Sequence, residues 1–272
     1  NMNYELNQKY EQLKKSIKKL DNAIVAFSGG IDSTLVLKVA YDVLWDKVIA
    51  ITADSPSMPR RELEETQRIT QEIGVKHIII NTKETENKKY IKNLNNRCYY
   101  CKSELYTKLK FIANKLGIKN ILNGTNFDDL SDYRPGLKAA DENNIISPLK
   151  ESKITKNEVR ELAKHLGLKI WDKPSSPCLS SRIPYGQEVT LRKLSMIEEG
   201  ENFLKDLGIR ELRVRHFDNV ARIEVNENDK IIINKKFFSI EKKFFEIGFN
   251  EIIISNFKSG NLNVLLNVRA EN

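Results

Sequence analysis

The sequence predicts an α/β chain: a doubly wound parallel sheet followed by a smaller C-terminal α+β domain. Short apolar runs at residues 23–27, 47–53, 76–81 and 120–123 alternate with helix-like stretches, the order of a parallel sheet wrapped on both faces. Five times, a helical pattern ends in glycine followed by an apolar residue: Gly74-Val75, Gly117-Ile118, Gly167-Leu168, Gly208-Ile209 and Gly248-Phe249. Glycine just past a helix end supplies the left-handed cap, so these read as helix-to-strand junctions. Residues 173–186 contain three prolines and four serines and read as a loop. Beyond it come a helix at 191–207, strands at 211–216 and 220–225, a helix at 239–247 and a strand at 251–255, compatible with a small ferredoxin-like domain. The expected domains are residues 1–185 and 186–272.

The first strand runs straight into Ser28-Gly29-Gly30-Ile31-Asp32-Ser33, and a helix is expected over 33–44. A small-residue turn between strand and helix is an anion cradle: glycines let amides approach, and the helix start adds positive partial charge. The turn lacks the Lys of the Walker loop and the third Gly of the dinucleotide fingerprint. Ser28 and Ser33 can donate to phosphate, whereas Asp32 repels it unless Mg²⁺ lies between them. The plain alternative is a capped glycine turn. Thr155 and Glu158 form a capping-box pattern for a helix at 156–166. Residues 1–20 place Tyr4, Leu6, Tyr10, Leu13, Ile17 and Leu20 roughly on one helical face.

Composition sets outer limits. The chain of 272 residues is 40% hydrophobic and 30% charged, an ordinary globular balance. No run approaches the ~18 apolar residues of a membrane span. The polar, Lys-rich start lacks a signal-peptide core, so cytoplasm is expected. A net charge of +8 favours anionic partners such as nucleotides, pyrophosphate or RNA. Three cysteines, Cys98, Cys101 and Cys178, argue against a disulfide framework. Three readings stand: one iron–sulfur cluster on three thiolates, a redox or zinc half-site at Cys98-x-x-Cys101 with Cys178 as nucleophile, or small residues without special chemistry. His77, His165 and His216 show no acid–base constellation and read as structural.

The residue 28–33 string resembles the pyrophosphate loop of the ATP pyrophosphatase (PP-loop) superfamily, whose fold is adenine nucleotide alpha hydrolase-like. Its members split ATP between the α- and β-phosphates to activate a carboxylate or carbonyl. Four further strings follow in order: residues 123–129, 132–139 (Asp-Tyr-Arg-Pro-Gly-Leu-Lys-Ala), 177–186 (Pro-Cys-Leu-Ser-Ser-Arg-Ile-Pro-Tyr-Gly) and Arg213-Val214-Arg215. Together they look like the LarE family, sulfur transferases of nickel-pincer cofactor synthesis, over nearly the whole chain. The resemblance implies that ATP adenylylates a carboxylate of pyridinium-3,5-dicarboxylate mononucleotide and sulfur replaces the activated oxygen. In single-Cys members a loop cysteine, matched by Cys178, gives up its own sulfur. The added Cys98 and Cys101 make this chain similar to the three-Cys branch, where the thiolates carry a [4Fe–4S] cluster.

On that reading Ser28, Gly29, Gly30, Asp32 and Ser33 cradle the phosphates, with Mg²⁺ bridging them to Asp32. Thr52, Gly124 and Arg134 join the nucleotide site. Cys178, Asp32 and Arg182 carry the chemistry. Arg134 and Arg182 are each able to be structural ion pairs instead. Arg213 and Arg215 alternate on one strand face and form, with Glu201, the substrate phosphate pocket; the plain alternative pairs them with Glu201 or Glu224. Expected partners are the mononucleotide and a sulfide source, with self-association, no membrane and no nucleic acid. A tRNA-thiolating enzyme of the same superfamily, or a non-catalytic iron–sulfur or nucleotide carrier, are the rival readings.

Overall fold

The computed structural model describes residues 2–131 and 135–257. In chain order it runs α1 (Tyr4–Lys18), β1 (Ala23–Ala26), α2 (Ile31–Leu44), β2 (Val48–Asp54), α3 (Arg60–Ile73), β3 (Lys76–Asn81), α4 (Lys88–Ile91) and α5 (Arg97–Leu116). Then come β4 (Ile121–Leu122), α6 (Pro135–Glu142), α7 (Pro148–Glu151), α8 (Lys156–His165), α9 (Leu191–Asp206), β5 (Leu212–Phe217) and β6 (Val220–Val225). α10 (Lys230–Lys235), α11 (Phe237–Ile247) and β7 (Glu251–Asn256) close it. The chain divides into two compact units, Asn1–Glu84 with Asn96–Ser176, and Thr85–Asn95 with Pro177–Asn272.

The first unit holds a parallel sheet in the order β3-β2-β1-β4. Its period-2 alternation feeds two cores. Ala23, Val25, Val48 and Ala50 face a cluster built with α1, α2 and α8. Ile24, Ile49 and Ile51 face Tyr106 and Leu109 of α5. β1, β2 and β4 are buried on both faces, which is why the sequence reads there as short continuous apolar runs, whereas the edge strand β3 is half-buried to exposed. On α1, Leu6, Tyr10, Leu13 and Ile17 are buried, while Tyr4 stays exposed. The capping box at Thr155 and Glu158 is present. All five junction glycines have positive φ, from +66° at Gly117 to +118° at Gly248.

The strands lie within one residue of their expected bounds, and two helices, α2 and α11, start two residues earlier than expected. Gly30 is extended (φ −75°, ψ 159°) and caps α2, so the helix starts at Ile31 instead of residue 33. α5 begins at Arg97, so Cys98 and Cys101 lie inside its first turns.

The second unit contains a three-stranded sheet, β5-β6-β7, with β5 antiparallel and β7 parallel to β6. Val214, Ala221 and Ile223 pack against Met196, Leu204, Phe244 and Phe249. His216 joins them at 1% exposure, its ring 5.4 Å from that of Phe249. Neither ring nitrogen has a hydrogen-bond partner among the described residues. Burial, with Lys193 adding to it, pushes the imidazole below its ordinary 6.5. The unfolded chain therefore binds more protons, so stability is present above pH 6.5 and is lost as pH falls below it. A His216→Leu variant is expected to lose that acid dependence. Urea midpoints compared between pH 7.5 and pH 5.5 check it.

Candidate active site

The strand order reverses beside β1, with β2 and β3 on one side and β4 on the other. Open α/β sheets bind ligands beyond the strand C-termini at such a reversal. Residues 28–33 leave β1 there and residues 123–129 leave β4. The Ser28 amide donates to Ser33 Oγ (3.3 Å), the Gly30 amide to Ser28 Oγ (3.4 Å), and the two hydroxyls lie 3.2 Å apart. Two amides and two hydroxyls thus share one hollow at the start of α2. Gly29 has φ +75°, and a Cβ there would lie 2.9 Å from Thr66 Cγ2.

Asp32 faces the same place. Its Oδ1 accepts from Asn126 Nδ2 at 3.1 Å and its Oδ2 from the Lys156 ammonium. Asn126 is only 3% exposed, and its amide donates to Asp129 Oδ2 (3.0 Å). The Lys156 amide, at the first residue of α8, donates to Asp128 Oδ2 (2.9 Å). The sequence reading passed over Lys156, because only the strand order brings the α8 start to residues 28–33. Thr52 is 1% exposed; its hydroxyl donates to Phe27 O (2.8 Å) and meets His77 Nε2 (2.8 Å). Arg134 lies outside the described residues.

Gly124 makes room for the backbone of α2. A Cβ at this position would stand 2.6 Å from Ser33 N and 3.0 Å from Asp32 C. Gly124→Ala is expected to destabilise the chain by about 1–3 kcal/mol and to weaken ATP binding, because β4 or the start of α2 must move. Denaturant midpoints and nucleotide titration check both.

In the second unit Cys178 precedes a short 3-10 turn, Leu179–Arg182. Its carbonyl accepts from Ser181 N (3.0 Å), Ser181 Oγ (2.8 Å) and Arg182 Nη1 (3.2 Å). Arg182 is 3% exposed; Nε and Nη2 reach the two Glu201 oxygens at 2.8 and 3.3 Å. Burial opposes its charge, but Glu201, helped by Cys178 and Glu224, holds its proton affinity above the ordinary guanidinium value. Glu201 also accepts from Val214 N (3.1 Å). Arg215, 2% exposed, binds Glu224 Oε1 at 2.7 Å and Ser181 O at 3.1 Å.

Arg213 is the cation left over. It is 9% exposed, stacks over the Phe257 ring at 4.8 Å, and has no carboxylate at ion-pair distance among the described residues. Burial, and then repulsion from Arg182 and Arg215, pushes it down to about 10. It is charged at neutral pH, and a buried unpaired charge is costly.

Cys98 is exposed and Cys101 and Cys178 are half-buried; none is in a disulfide. The first two belong to the first unit and Cys178 to the second. Among the described residues no group of three His, Cys, Asp or Glu gathers as a metal site.

A Ser-Gly-Gly turn from strand to helix at a sheet reversal, with the relatives that follow, defines the class: this is an ATP-dependent enzyme of the PP-loop type. Residues 22–97 match the family model of the queuosine biosynthesis protein QueC. The chain is 36% identical to the pyridinium-3,5-bisthiocarboxylic acid mononucleotide synthase of Lactiplantibacillus plantarum, covering 95% of both chains. An uncharacterized protein of Synechocystis is 44% identical over 96% of this chain and 99% of its own. One of Methanocaldococcus jannaschii is 34% identical over 91% and 96%. The chain belongs to the family of that synthase, the LarE family.

Proposed function

We propose that this chain activates a carboxylate of pyridinium-3,5-dicarboxylate mononucleotide with ATP and exchanges the activated oxygen for sulfur, giving a thiocarboxylate, AMP and pyrophosphate. The observation that carries the reading is Arg213, a buried guanidinium without a carboxylate partner among the described residues. It lies on the strand that also carries Arg215, which bonds to the Cys178 turn through Ser181. A phosphomonoester supplies the missing anion. The relative's name, a synthase of the bisthiocarboxylic acid mononucleotide, supports the same substrate.

The residues then divide the work. Ser28, Gly29, Gly30 and Ser33 hold the phosphates, with Thr52 fixing the loop start, Gly124 letting β4 reach α2, and Arg134 completing the nucleotide site. Asp32, one carboxylate already paired with Lys156, would be the residue that holds a Mg²⁺. Such an ion would supply positive charge to offset that developing on the pyrophosphate leaving group. Arg182 and Glu201 shape the Cys178 turn and set it beside the phosphate site of Arg213 and Arg215.

Cys98 and Cys101 stand one helical turn apart on α5, a spacing that puts both thiolates on one face. The family resemblance, not the geometry, is what adds Cys178 to them as the third thiolate of a [4Fe–4S] cluster. Held by three thiolates, such a cluster would leave one iron without a protein ligand and would supply a place for an added sulfide. The reading makes the protein a cytoplasmic, self-associating enzyme fed by sulfide or a sulfur donor. Among the described residues no helix is long and apolar enough to cross a membrane.

The test supplies the dicarboxylate mononucleotide, ATP, Mg²⁺ and sulfide to anaerobically purified protein. AMP, pyrophosphate and a product with one oxygen exchanged for sulfur are expected in equal amounts. Absence of AMP with all components present sinks the reading.

A further inference from the structure

We infer that Lys173 is a positioning residue of the phosphate cradle, holding the Gly29–Gly30 peptide with its amide turned inward; this rests on residues 28–33 binding phosphate. A trans peptide carries its N–H and C=O on opposite edges. The Gly30 N–H points into the hollow toward Ser28 Oγ (3.4 Å). The Gly29 carbonyl, on the outer edge of the same peptide, is 3.3 Å from Lys173 Nζ. Turned over, this peptide would aim its oxygen at a bound phosphate. Two adjacent glycines make such a turn sterically inexpensive, so an outside lock has work to do.

The lysine is itself held. Its ammonium lies 2.6 Å from Glu62 Oε2 on α3, with side chains 18% and 16% exposed. Its backbone is fixed where Arg160 Nη2 donates to Lys173 O (3.0 Å) and Nη1 to Trp171 O (2.8 Å). The Phe27–Ser28 peptide, two along the chain, is locked by the same arrangement: Thr52 Oγ1 donates to Phe27 O from outside, while the Ser28 N–H faces Ser33 Oγ. Lys173 differs in bringing a charge, which Glu62 offsets. The charge balance at the cradle is therefore set by a pair that touches it from behind.

Titration calorimetry of the full chain with inorganic pyrophosphate tests this without sulfur transfer. Lys173→Met is expected to weaken binding about tenfold or more, as for a lost charge-assisted hydrogen bond. Lys173→Arg is expected to stay within a few-fold of wild type, and Glu62→Gln to bind more tightly than wild type because the ammonium is no longer offset. High salt is expected to erase the Glu62→Gln gain. In turnover, Lys173→Met is expected to raise KM for ATP more than it lowers kcat. Binding by Lys173→Met equal to wild type overturns the inference. So does equal weakening in Glu62→Gln and Lys173→Met, which would make the pair only a clip between α3 and the 171–173 segment. Failure of the wild type to bind pyrophosphate is a different result: it removes the phosphate reading of the loop, and this inference with it.

Discussion

Cys178→Ser is expected to lower sulfur transfer by at least about a thousandfold while leaving pyrophosphate binding unchanged. Serine preserves the carbonyl that accepts from Ser181 and Arg182 and has nearly the same shape, so the turn Leu179–Arg182 should form as before. Only the soft sulfur is lost. Two measurements separate its possible roles. If Cys178 is a cluster ligand, the variant purified without oxygen loses its iron and its brown colour, and Cys98→Ser and Cys101→Ser do the same. If it is the sulfur donor, one turnover removes H₂S, about 34 Da, from Cys178 of the wild type and from no other residue. Full iron occupancy and unchanged thiocarboxylate yield in Cys178→Ser would contradict both roles.

Arg213→Met is expected to act with opposite signs on stability and on substrate binding. Removing a buried cation that lacks a carboxylate partner among the described residues should stabilise the ligand-free protein by about 1 kcal/mol. Substrate affinity should fall by about 10- to 100-fold, the range for a lost charge-assisted contact with phosphate. Thermal midpoints with and without inorganic phosphate give the first quantity, and KM for the mononucleotide the second. Arg215→Met provides the contrast. It removes the ion-pair partner of Glu224 Oε1, on a side chain that is fully buried, and is expected to destabilise by about 3–5 kcal/mol. A stability loss in Arg213→Met equal to that of Arg215→Met would show that both arginines serve only the sheet.

These two arginines mark where sequence reasoning stops. Their alternation correctly puts them on one face of β5. It does not say which one is neutralised. Glu224 sits opposite Arg213 in the register yet bonds the diagonal neighbour Arg215, a choice made by how the side chains lean along the strand. The backbone was far more legible. Gly74, Gly117, Gly167, Gly208 and Gly248 mark helix ends by a local steric rule, and each adopts the left-handed conformation. The strand at residues 76–81 and that at 220–225 match to the residue, because apolar runs and turn residues bound them locally. Lys156 and Lys173 reach residues 28–33 from more than 100 positions away. No local pattern announces that; it follows from strand order and from the path of the chain after α8.

The second unit is sewn together from two stretches of chain. Asn93, fully buried at φ +52°, donates through Nδ2 to the carbonyls of Ile183, Pro184 and Gln187, and Tyr90 Oη meets Ser180 Oγ at 2.6 Å. During synthesis, residues 85–95 leave the ribosome some 90 positions before the partners that satisfy them. They must wait without these partners while residues 96–176, with α5, β4 and α8, are made. A fragment starting at Pro177 would lack the Asn93 amide around which its first loop is wrapped. Dividing this protein into two independently expressed halves therefore requires carrying residues 85–95 across, and with them the short tether that ends three residues before Cys98.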